Sequence, residues 1–389
     1  MKPIYLDYNA TTPVDSEVLD AMLPYFNDSY GNASSFHYFG RDAKIALDNS
    51  REQIAAFINC QPSELYFTSG GTESDNLSVL GTAYQLKGKK DHIIIGAAEH
   101  HAVLEPAQHL HSKEGFALDV LPVDNDGISK PDDLTNLVTE KTALVSVMHA
   151  NNETGAIQDI KALAAVAREK GVLFHTDAVQ STGKIPVDVQ DMGVDMLSLT
   201  AHKIYGPKGT GALFIRNNTK LAPLFFGGLH EKRHRPGTEN IAGIVGFAKA
   251  LEVAEKKMEE DAARHKEMTD YFIDKIMLAI PDVSLNGSRN NRIWPTVNLL
   301  FSGVESESIL LSLDIEGIAC SSGSACTSKE IEPSHVLVAM GKDKVDALGS
   351  IRFSLGRGTT YEQLDYVLEK LPPIINRLRE ISPLYDSKQ

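Results

Sequence analysis

The middle of the chain alternates between short apolar runs and stretches with helical spacing, and this alternation restricts the possible folds more than any other feature. Strand-like apolar runs recur at 64–68, 92–95, 143–148, 172–175 and 196–199. The intervening stretch 159–170 places Ile160, Leu163, Ala164 and Ala167 on one helical face. Strands that alternate with helices are typical of βαβ units around a mostly parallel sheet. The sequence therefore predicts an α/β fold whose central sheet is covered by helices on both faces.

A change of pattern near residue 237 predicts a second, smaller unit. The stretch 238–280 interleaves Glu and Lys over much of its length without a strand pattern, which indicates a long helix. Beyond Pro281 strands and helices mix, with strand-like runs at 296–301 and 350–354 and helical stretches at 305–313 and 361–371. We expect a large domain over residues 16–255 and a small α+β domain formed by residues 1–15 and 256–389.

Charge and cysteine content narrow the class of protein. The 389-residue chain has 38 basic and 52 acidic residues and a formal net charge of −14, which repels phosphate at long range and argues against a nucleic-acid partner. No stretch reaches the roughly 18 apolar residues of a membrane span, and no apolar core of a signal peptide is present near Met1. We therefore expect a cytoplasmic protein without a membrane partner. Its three cysteines, Cys60, Cys320 and Cys326, are too few for a disulfide framework, and no paired C-x-x-C motif predicts a metal site.

A glycine-rich turn, TSGGTESDN at 68–76, follows a predicted strand and precedes a helical stretch. The free N–H groups and the positive dipole end of a helix at this point favour a bound anion such as a phosphate. The alternative is an ordinary strand–helix turn capped by Thr72. The segment is neither a Walker loop nor a G-x-G-x-x-G motif, so it does not specifically predict nucleotide binding.

Two further strands are followed by groups that suit a cofactor. Asp177 and Gln180 follow the run 172–175, at the end of a strand where ligands of open parallel sheets bind. Lys203 follows the run 196–199 and carries an amine that forms a Schiff base with an aldehyde once it is desolvated. A capping aspartate and a surface lysine are the alternatives. Together, an anion-binding turn, a carboxylate and a lysine match what pyridoxal 5′-phosphate (PLP) requires.

The segment 317–330, GIACSSGSACTSKE, has almost no large side chains around Cys326. Because such a segment has a high entropy cost of ordering, we expect Cys326 to be an exposed, reactive thiol on a mobile loop. Cys320 closes the apolar turn 317–319 and is expected to be packed, and no role is expected for Cys60.

Long motifs along the chain resemble those of the cysteine desulfurases in the NifS/IscS-like group of class V aminotransferases, which are PLP enzymes. The likeness runs almost from end to end. The motifs are YLDYNATT at 5–12, TSGGTESDN at 68–76, EHHAVL at 99–104, HANNETG at 149–155, HTDAVQSTGK at 175–184, AHKIYGPKG at 201–209, RPGTEN at 235–240, SSGSACTS at 321–328 and IRFSLGR at 351–357. The resemblance implies PLP-dependent transferase fold type I, a homodimer and a protein that accepts sulfur for iron–sulfur cluster or related assembly.

The resemblance also assigns a role to each matching residue. Lys203 would bind the PLP aldehyde and move protons, Asp177 would pair with the pyridinium nitrogen, and Gln180 would donate to the phenolic oxygen. Asn152 would lie near that oxygen and the substrate, His100 would stack on the ring and exchange protons, and Arg352 would bind the substrate carboxylate. The phosphate would be held by Gly71, Thr72, Thr200 and His202, with Thr238 from the second subunit.

The implied reaction converts L-cysteine to L-alanine and leaves a persulfide on Cys326. Taken singly, most of these residues have an ordinary structural explanation: Asn152 and Gln180 as loop residues, Arg352 in a surface ion pair, His100 at a helix start. As one ordered set they favour the catalytic interpretation. A selenocysteine lyase or an aminotransferase of the same fold would share the PLP residues, and a non-catalytic sulfur or metal scaffold is the alternative outside enzymes.

Overall fold

The computed structural model describes residues 3–323, 333–383 and 385. Its strands are β1 (Ile4–Tyr5), β2 (Leu65–Thr68), β3 (His92–Gly96), β4 (Ala117–Leu121), β5 (Thr142–Ser146), β6 (Leu173–Asp177), β7 (Met196–Thr200), β8 (Gly211–Ile215), β9 (Val283–Leu285), β10 (Thr296–Phe301), β11 (Ile318–Ala319), β12 (Ser321–Ser322) and β13 (Ser350–Ser354). Its α-helices are α1 (Ser16–Met22), α2 (Pro24–Asn27), α3 (Tyr38–Phe57), α4 (Gly71–Leu86), α5 (His101–Glu114), α6 (Pro131–Leu137), α7 (Ile160–Glu169), α8 (Val189–Met192), α9 (Ile241–Ala279), α10 (Ser306–Ile315), α11 (His335–Ala339), α12 (Lys344–Ala347) and α13 (Tyr361–Glu380).

The central sheet has seven strands in the order β2-β8-β7-β6-β5-β3-β4. Strands β7, β6, β5, β3 and β4 are parallel to one another, whereas β8 is antiparallel to both of its neighbours, β7 and β2. This confirms the predicted α/β fold with a mostly parallel sheet. The five apolar runs named from the sequence all form strands, with ends shifted by no more than two residues.

Alternation along the strands explains why the sheet is covered on both faces. In β3, Ile94 packs into the hydrophobic cluster on one face, and its neighbours Ile93 and Ile95 pack into the cluster on the other. In β5, Val145 and Leu144 divide in the same way. Full burial of each such side chain contributes about 1.5–3 kcal/mol. Helices on both faces are therefore required by the sequence of the strands.

A second sheet, in the order β12-β13-β10-β9, is antiparallel throughout. Its core contains Phe272, Phe353 and Leu299 together with Ile4 and Leu6 from the start of the chain. Strand β1 pairs in parallel with β11, which brings the first residues beside the last third of the chain. The domain bounds given above remain a prediction.

Helix α9 is 39 residues long and contacts both cores. Asn240 begins it, because its side chain accepts a hydrogen bond from the Gly243 amide at 3.1 Å. Phe247 packs into the cluster beside the central sheet, and Phe272 packs beneath the second sheet. The long helix predicted at 238–280 is thereby confirmed. Across the described residues, no helix combines the length and apolar character needed to cross a bilayer.

Candidate active site

The loops that carry the predicted site residues meet at one edge of the central sheet. The parallel strands β3, β5, β6 and β7 end there, and β2 ends there too because it is antiparallel to β8. A cavity of about 340 Å³ lies at this edge. Ten of the residues named from the sequence line it: Gly71, Thr72, His100, Asn152, Asp177, Gln180, Thr200, His202, Lys203 and Arg352.

Lys203 lies in a short 3₁₀ turn, Ala201–Lys203, directly after β7. Its ammonium donates to the backbone carbonyls of Asn9 at 2.6 Å and Ala10 at 2.7 Å. Burial and the charge of Arg352 lower the pKa of Lys203 to about 8, against the opposing effect of Asp177 and Asp7. A lysine whose pKa lies this close to neutral pH is partly unprotonated, so it is a competent nucleophile toward an aldehyde and a competent base.

Asp177 is the last residue of β6 and is 4% exposed. Its Oδ1 accepts a hydrogen bond from the amide of Val179 at 2.8 Å, which fixes the carboxylate at the C-terminal end of the strand. Burial raises the pKa of Asp177 to about 6, while the Val179 hydrogen bond and the charge of Lys203 oppose the shift. At neutral pH the group is therefore an anion that faces the cavity.

A second buried carboxyl, Asp75, also lines the cavity and was not named from the sequence. Burial and the negative charge of Asp177 raise its pKa well above the usual range. His175 lies 3.5 Å from Asp75 Oδ1, and burial lowers the pKa of this imidazole to about 3, so it stays neutral. Asp75 therefore favours its neutral form beside the charged Asp177.

The amide of Gln180 is held between two partners. Lys184 donates to its Oε1 at 2.8 Å, and its Nε2 donates to the Asn9 carbonyl at 3.0 Å. Because a backbone carbonyl only accepts, the end of the amide that faces Asn9 is the donor, Nε2. The donor end then faces the same carbonyl that Lys203 binds.

The expected phosphate side of the cavity is formed by the start of α4 and the end of β7. Helix α4 begins at Gly71 after Gly70, and no side chain caps it, so its first N–H groups remain free to bind an anion. The alternative cap by Thr72 is wrong, since Gly70 is the N-cap residue. A Cβ on residue 71 would lie 2.7 Å from Cγ2 of Val179, so the backbone here packs closely against that side chain.

His100 is the N-cap residue of helix α5, which agrees with the ordinary structural role suggested from the sequence, and it also lines the cavity. Its Nδ1 accepts the amide of Ala102 at 3.1 Å, which leaves Nε2 for a ligand. Desolvation by the surrounding residues lowers the pKa of His100 to about 4, and the positive charge of Lys203 adds to this shift. The ring is therefore neutral at pH 7. A neutral ring held at one nitrogen suits stacking and proton exchange at the other.

Arg352 sits in β13, opposite Ser321 of β12. Its guanidinium donates to Asp7 at 2.8 Å and to the Asn152 carbonyl at 3.1 Å, while its buried Nε has no partner among the described residues. Arg352 is thus a cavity-lining cation that pairs with a carboxylate of the chain itself. This fork geometry suits a substrate carboxylate.

Three described residues named from the sequence, Thr238, Cys320 and Cys60, do not line this cavity. Thr238 is exposed and does not line the cavity of this chain, so its expected role in a second subunit stays a prediction. Cys326 lies outside the described residues. Cys320 and Cys60 are free and half-buried, and burial raises the pKa of each, that of Cys60 to about 12. Both are poor nucleophiles at neutral pH.

The family assignment rests on residues 4–367, which match the family model described as aminotransferase class-V. The chain belongs to this family. Its members are PLP-dependent. A cysteine desulfurase IscS of Dictyoglomus turgidum is 51% identical over 98% of this chain and 97% of its own length.

Two solved structures resemble this one closely. A NifS-like protein superposes with a TM-score of 0.91 at 36% identity and covers 97% of this chain and all of its own. A structure described as SspA in complex with cysteine superposes with a TM-score of 0.81, also at 36% identity, over 90% of this chain and 98% of its own.

The donor set of the cavity fits the cofactor of class V enzymes. Lys203 supplies the amine, Asp177 the buried carboxylate for a pyridinium, and the uncapped start of α4 the amides for a phosphate. These three groups come from different loops and point into one cavity of suitable size. The residues present therefore fit PLP.

Proposed function

We propose that this protein is a cysteine desulfurase that takes sulfur from L-cysteine onto Cys326 and releases L-alanine. The single observation that carries the proposal is the convergence of Lys203, Asp177 and the start of α4 on one cavity that Arg352 also lines. The similarity to a cysteine desulfurase over nearly the whole chain supports it. So does the likeness to a relative whose structure contains cysteine.

The first part of the reaction depends on binding and proton transfer by the chain. Arg352 would exchange Asp7 for the carboxylate of L-cysteine and so orient the substrate. When bound, PLP supplies an electron-withdrawing ring that makes the α proton of the substrate acidic. Lys203, with its pKa near 8, would take that proton, while Asp177 would hold a proton on the ring nitrogen.

The sulfur-transfer step needs a thiolate. The thiolate of Cys326 would attack the sulfur of the substrate, so that an S–S bond forms as the bond between that sulfur and its carbon breaks. The electron pair stays on the β carbon, which takes up a proton supplied through His100 or Lys203. Return of a proton to the α carbon by Lys203 then completes L-alanine. Sulfur ends as a persulfide on Cys326, and a sulfur-acceptor protein would remove it.

Several further proposals concern the assembly, the location and the domains of the protein. We propose a cytoplasmic homodimer in which Thr238 of one subunit reaches the phosphate of the other. We also propose a large domain at 16–255 and a small domain at 1–15 and 256–389. Separate hydrophobic clusters beside the two sheets support that division. Iron–sulfur cluster assembly is the proposed use of the sulfur, in keeping with the name of the IscS relative.

The experiment that tests the proposal measures L-alanine and sulfide released from L-cysteine with a reductant present. We expect equal amounts of both from the native enzyme and neither from Cys326→Ala, which should still bind PLP. Cys60→Ala is the matched control, because Cys60 does not line the cavity and its substitution should leave the rate unchanged. Sulfide release by Cys326→Ala at the native rate would contradict the role of Cys326. Release of L-alanine from selenocysteine alone would favour a selenocysteine lyase instead.

A further inference from the structure

Glu153 is a buried carboxyl that touches the chain on both sides of the segment 324–332. It lies in the loop after β5 and is 3% exposed. On one side, the hydroxyl of Ser334 donates to its Oε2 at 2.5 Å. On the other, a Cβ built on Gly323 would overlap the same Oε2. One oxygen of Glu153 therefore lies against Gly323 before the segment and is hydrogen-bonded to Ser334 just after it.

The contact with Gly323 explains why glycine is needed there. The φ angle of Gly323 is not in the left-handed region, so an L-residue meets no backbone penalty. The obstacle is space, because the added carbon would overlap Oε2 and lie 3.0 Å from Cδ of Glu153. A methyl group at residue 323 must displace the carboxyl.

The contact with Ser334 fixes the start of helix α11. The Ser334 hydroxyl also accepts the Leu337 amide at 3.2 Å, and its residue is 4% exposed. The neighbouring His335 bonds through Nε2 to the carbonyl of Glu99 at 2.8 Å. Ser334 is thus held both by its own helix and by Glu153.

The backbone of Glu153 is itself held firmly. Its amide donates to Oδ1 of Asn151 at 2.9 Å, and its carbonyl accepts from Asn298 of β10 at 3.2 Å. The adjacent Asn152 carbonyl accepts from Arg352 at 3.1 Å. One loop therefore orients both the cation of the cavity and the carboxyl between Gly323 and Ser334. Burial raises the pKa of Glu153 to about 7, while the hydrogen bond from Ser334 and the charge of Arg352 oppose this shift. Loss of the Ser334 hydroxyl would therefore leave a buried carboxyl with one hydrogen-bond donor fewer, which is destabilising.

We propose that Glu153 is a positioning residue for sulfur transfer, which holds Gly323 and Ser334 in place on either side of the segment that carries Cys326. The inference rests on the proposed function and deepens it. It concerns the described residues Gly323, Glu153 and Ser334, and assigns Glu153 no contact with substrate or cofactor.

The test separates the two contacts of Glu153 in the full-length enzyme. Gly323→Ala adds the methyl group that displaces the carboxyl of Glu153, and Glu153→Asp shortens that side chain by one methylene. The double variant, Gly323→Ala with Glu153→Asp, makes room for the methyl group but also withdraws the carboxyl from Ser334, so it relieves the overlap without restoring the tie to Ser334. Ser334→Ala removes the hydroxyl without adding atoms, and Ser334→Thr is its matched control because it keeps the hydroxyl.

Two readouts are needed. The first is hydrogen exchange of the amides of α11 in the cofactor-free protein, which reports the tie to Ser334 without any catalysis. The second is the single-turnover rate of persulfide formation on Cys326, compared with the spectral change that reports cysteine binding. A displacement near an ångström reduces such a rate by roughly 10–100-fold.

We expect faster exchange in α11 and at least about tenfold slower persulfide formation in Gly323→Ala and Ser334→Ala, with cysteine binding unchanged. Ser334→Thr should keep both at the native level, whereas the double variant should still show fast exchange in α11 because it lacks the tie to Ser334. Native exchange or native persulfide formation in Gly323→Ala or in Ser334→Ala would overturn the inference. If Gly323→Ala does not fold, the comparison of Ser334→Ala with Ser334→Thr decides it. A native protein without desulfurase activity would refute the proposed function, whereas the exchange measurement would still test the tie.

Discussion

The ammonium of Lys203 and the backbone carbonyl of Asn9 are 2.6 Å apart, although the two residues are 194 positions apart in sequence. The same carbonyl accepts Nε2 of Gln180 at 3.0 Å. The side chain of Asn9 in turn donates to the Asn152 carbonyl at 3.0 Å and to Thr296 at 2.8 Å. Asn9 therefore fixes the N-terminal segment against both sheets and gives the lysine an acceptor.

Substitution of Asn9 should lower the free energy of unfolding of the cofactor-free protein. Asn9→Ala leaves the buried Thr296 hydroxyl and the half-buried Asn152 carbonyl each with one donor fewer, and we expect a loss of about 1–3 kcal/mol in the free energy of unfolding. Urea unfolding of the cofactor-free protein measures this. Asn290→Ala, at an exposed loop position, is the control and should change stability by less than about 0.5 kcal/mol.

The pH dependence of PLP uptake should follow the amine of Lys203. Only the neutral amine attacks an aldehyde, so uptake should rise with pH around a midpoint near 8. Arg352→Met removes a positive charge that lowers the pKa of Lys203, and it frees Asp7, whose charge raises it. Both effects move the midpoint to higher pH. Absorbance on mixing PLP with cofactor-free protein measures the profile.

The control for this prediction is Arg352→Lys, which keeps the charge and should leave the midpoint near that of the native protein. A midpoint in Arg352→Met that is equal to or below the native one would show that the two cations are not coupled.

Asp177→Asn should separate cofactor binding from proton removal. The amide keeps the shape of the side chain and loses the charge that would hold a protonated ring nitrogen. We expect PLP to bind and the rate of exchange of the substrate α proton with solvent deuterium to fall by at least about 100-fold. Proton NMR of L-alanine in deuterated buffer measures that rate. The exposed Asp119→Asn should exchange at the native rate, and native exchange in Asp177→Asn would remove this residue from the mechanism.

Close packing at Gly71 should be reversible by a second substitution. A methyl group at residue 71 would lie 2.7 Å from Cγ2 of Val179, which is a stiff β-branched side chain. We expect Gly71→Ala to weaken PLP binding about threefold to tenfold, and Val179→Ala to restore it in the double variant. Equilibrium titration with PLP compares the variants. Equal affinity of Gly71→Ala and the native protein would mean that Val179 yields without cost.

Sequence patterns predicted the central sheet because its strands are buried on both faces and are therefore continuously apolar. Strands β4 and β8 were missed. In β4, Ala117, Asp119 and Val120 are exposed at the sheet edge and leave no such run. Strand β8 is buried throughout, but it begins with two small residues, Gly211 and Ala212, which leaves a short apolar run. The pairing of β1 with β11 spans only two residues on each strand and joins the start of the chain to residues 318–319. No local periodicity marks a contact of that kind.

Some residues of the candidate site could be predicted from the sequence and others could not. Asp177 and Lys203 could be found from the sequence because each follows an apolar strand, and parallel strands end at one edge. Asn9 and Ala10 could not, since their backbone carbonyls act on Lys203 whatever side chains they carry. Asp75 lies within the glycine-rich turn motif, but its place beside Asp177 follows from the turn of α4 over the sheet.

The central claim is that Lys203 forms the covalent bond with PLP in the cavity it shares with Asp177. Its most direct test is borohydride reduction of the yellow holoenzyme, followed by digestion and peptide mapping of the reduced lysine. The account predicts that the label lies on Lys203 and that Lys203→Ala carries none. A label on Lys184, which lies nearby with a pKa lowered to about 7, or on any other lysine would contradict it.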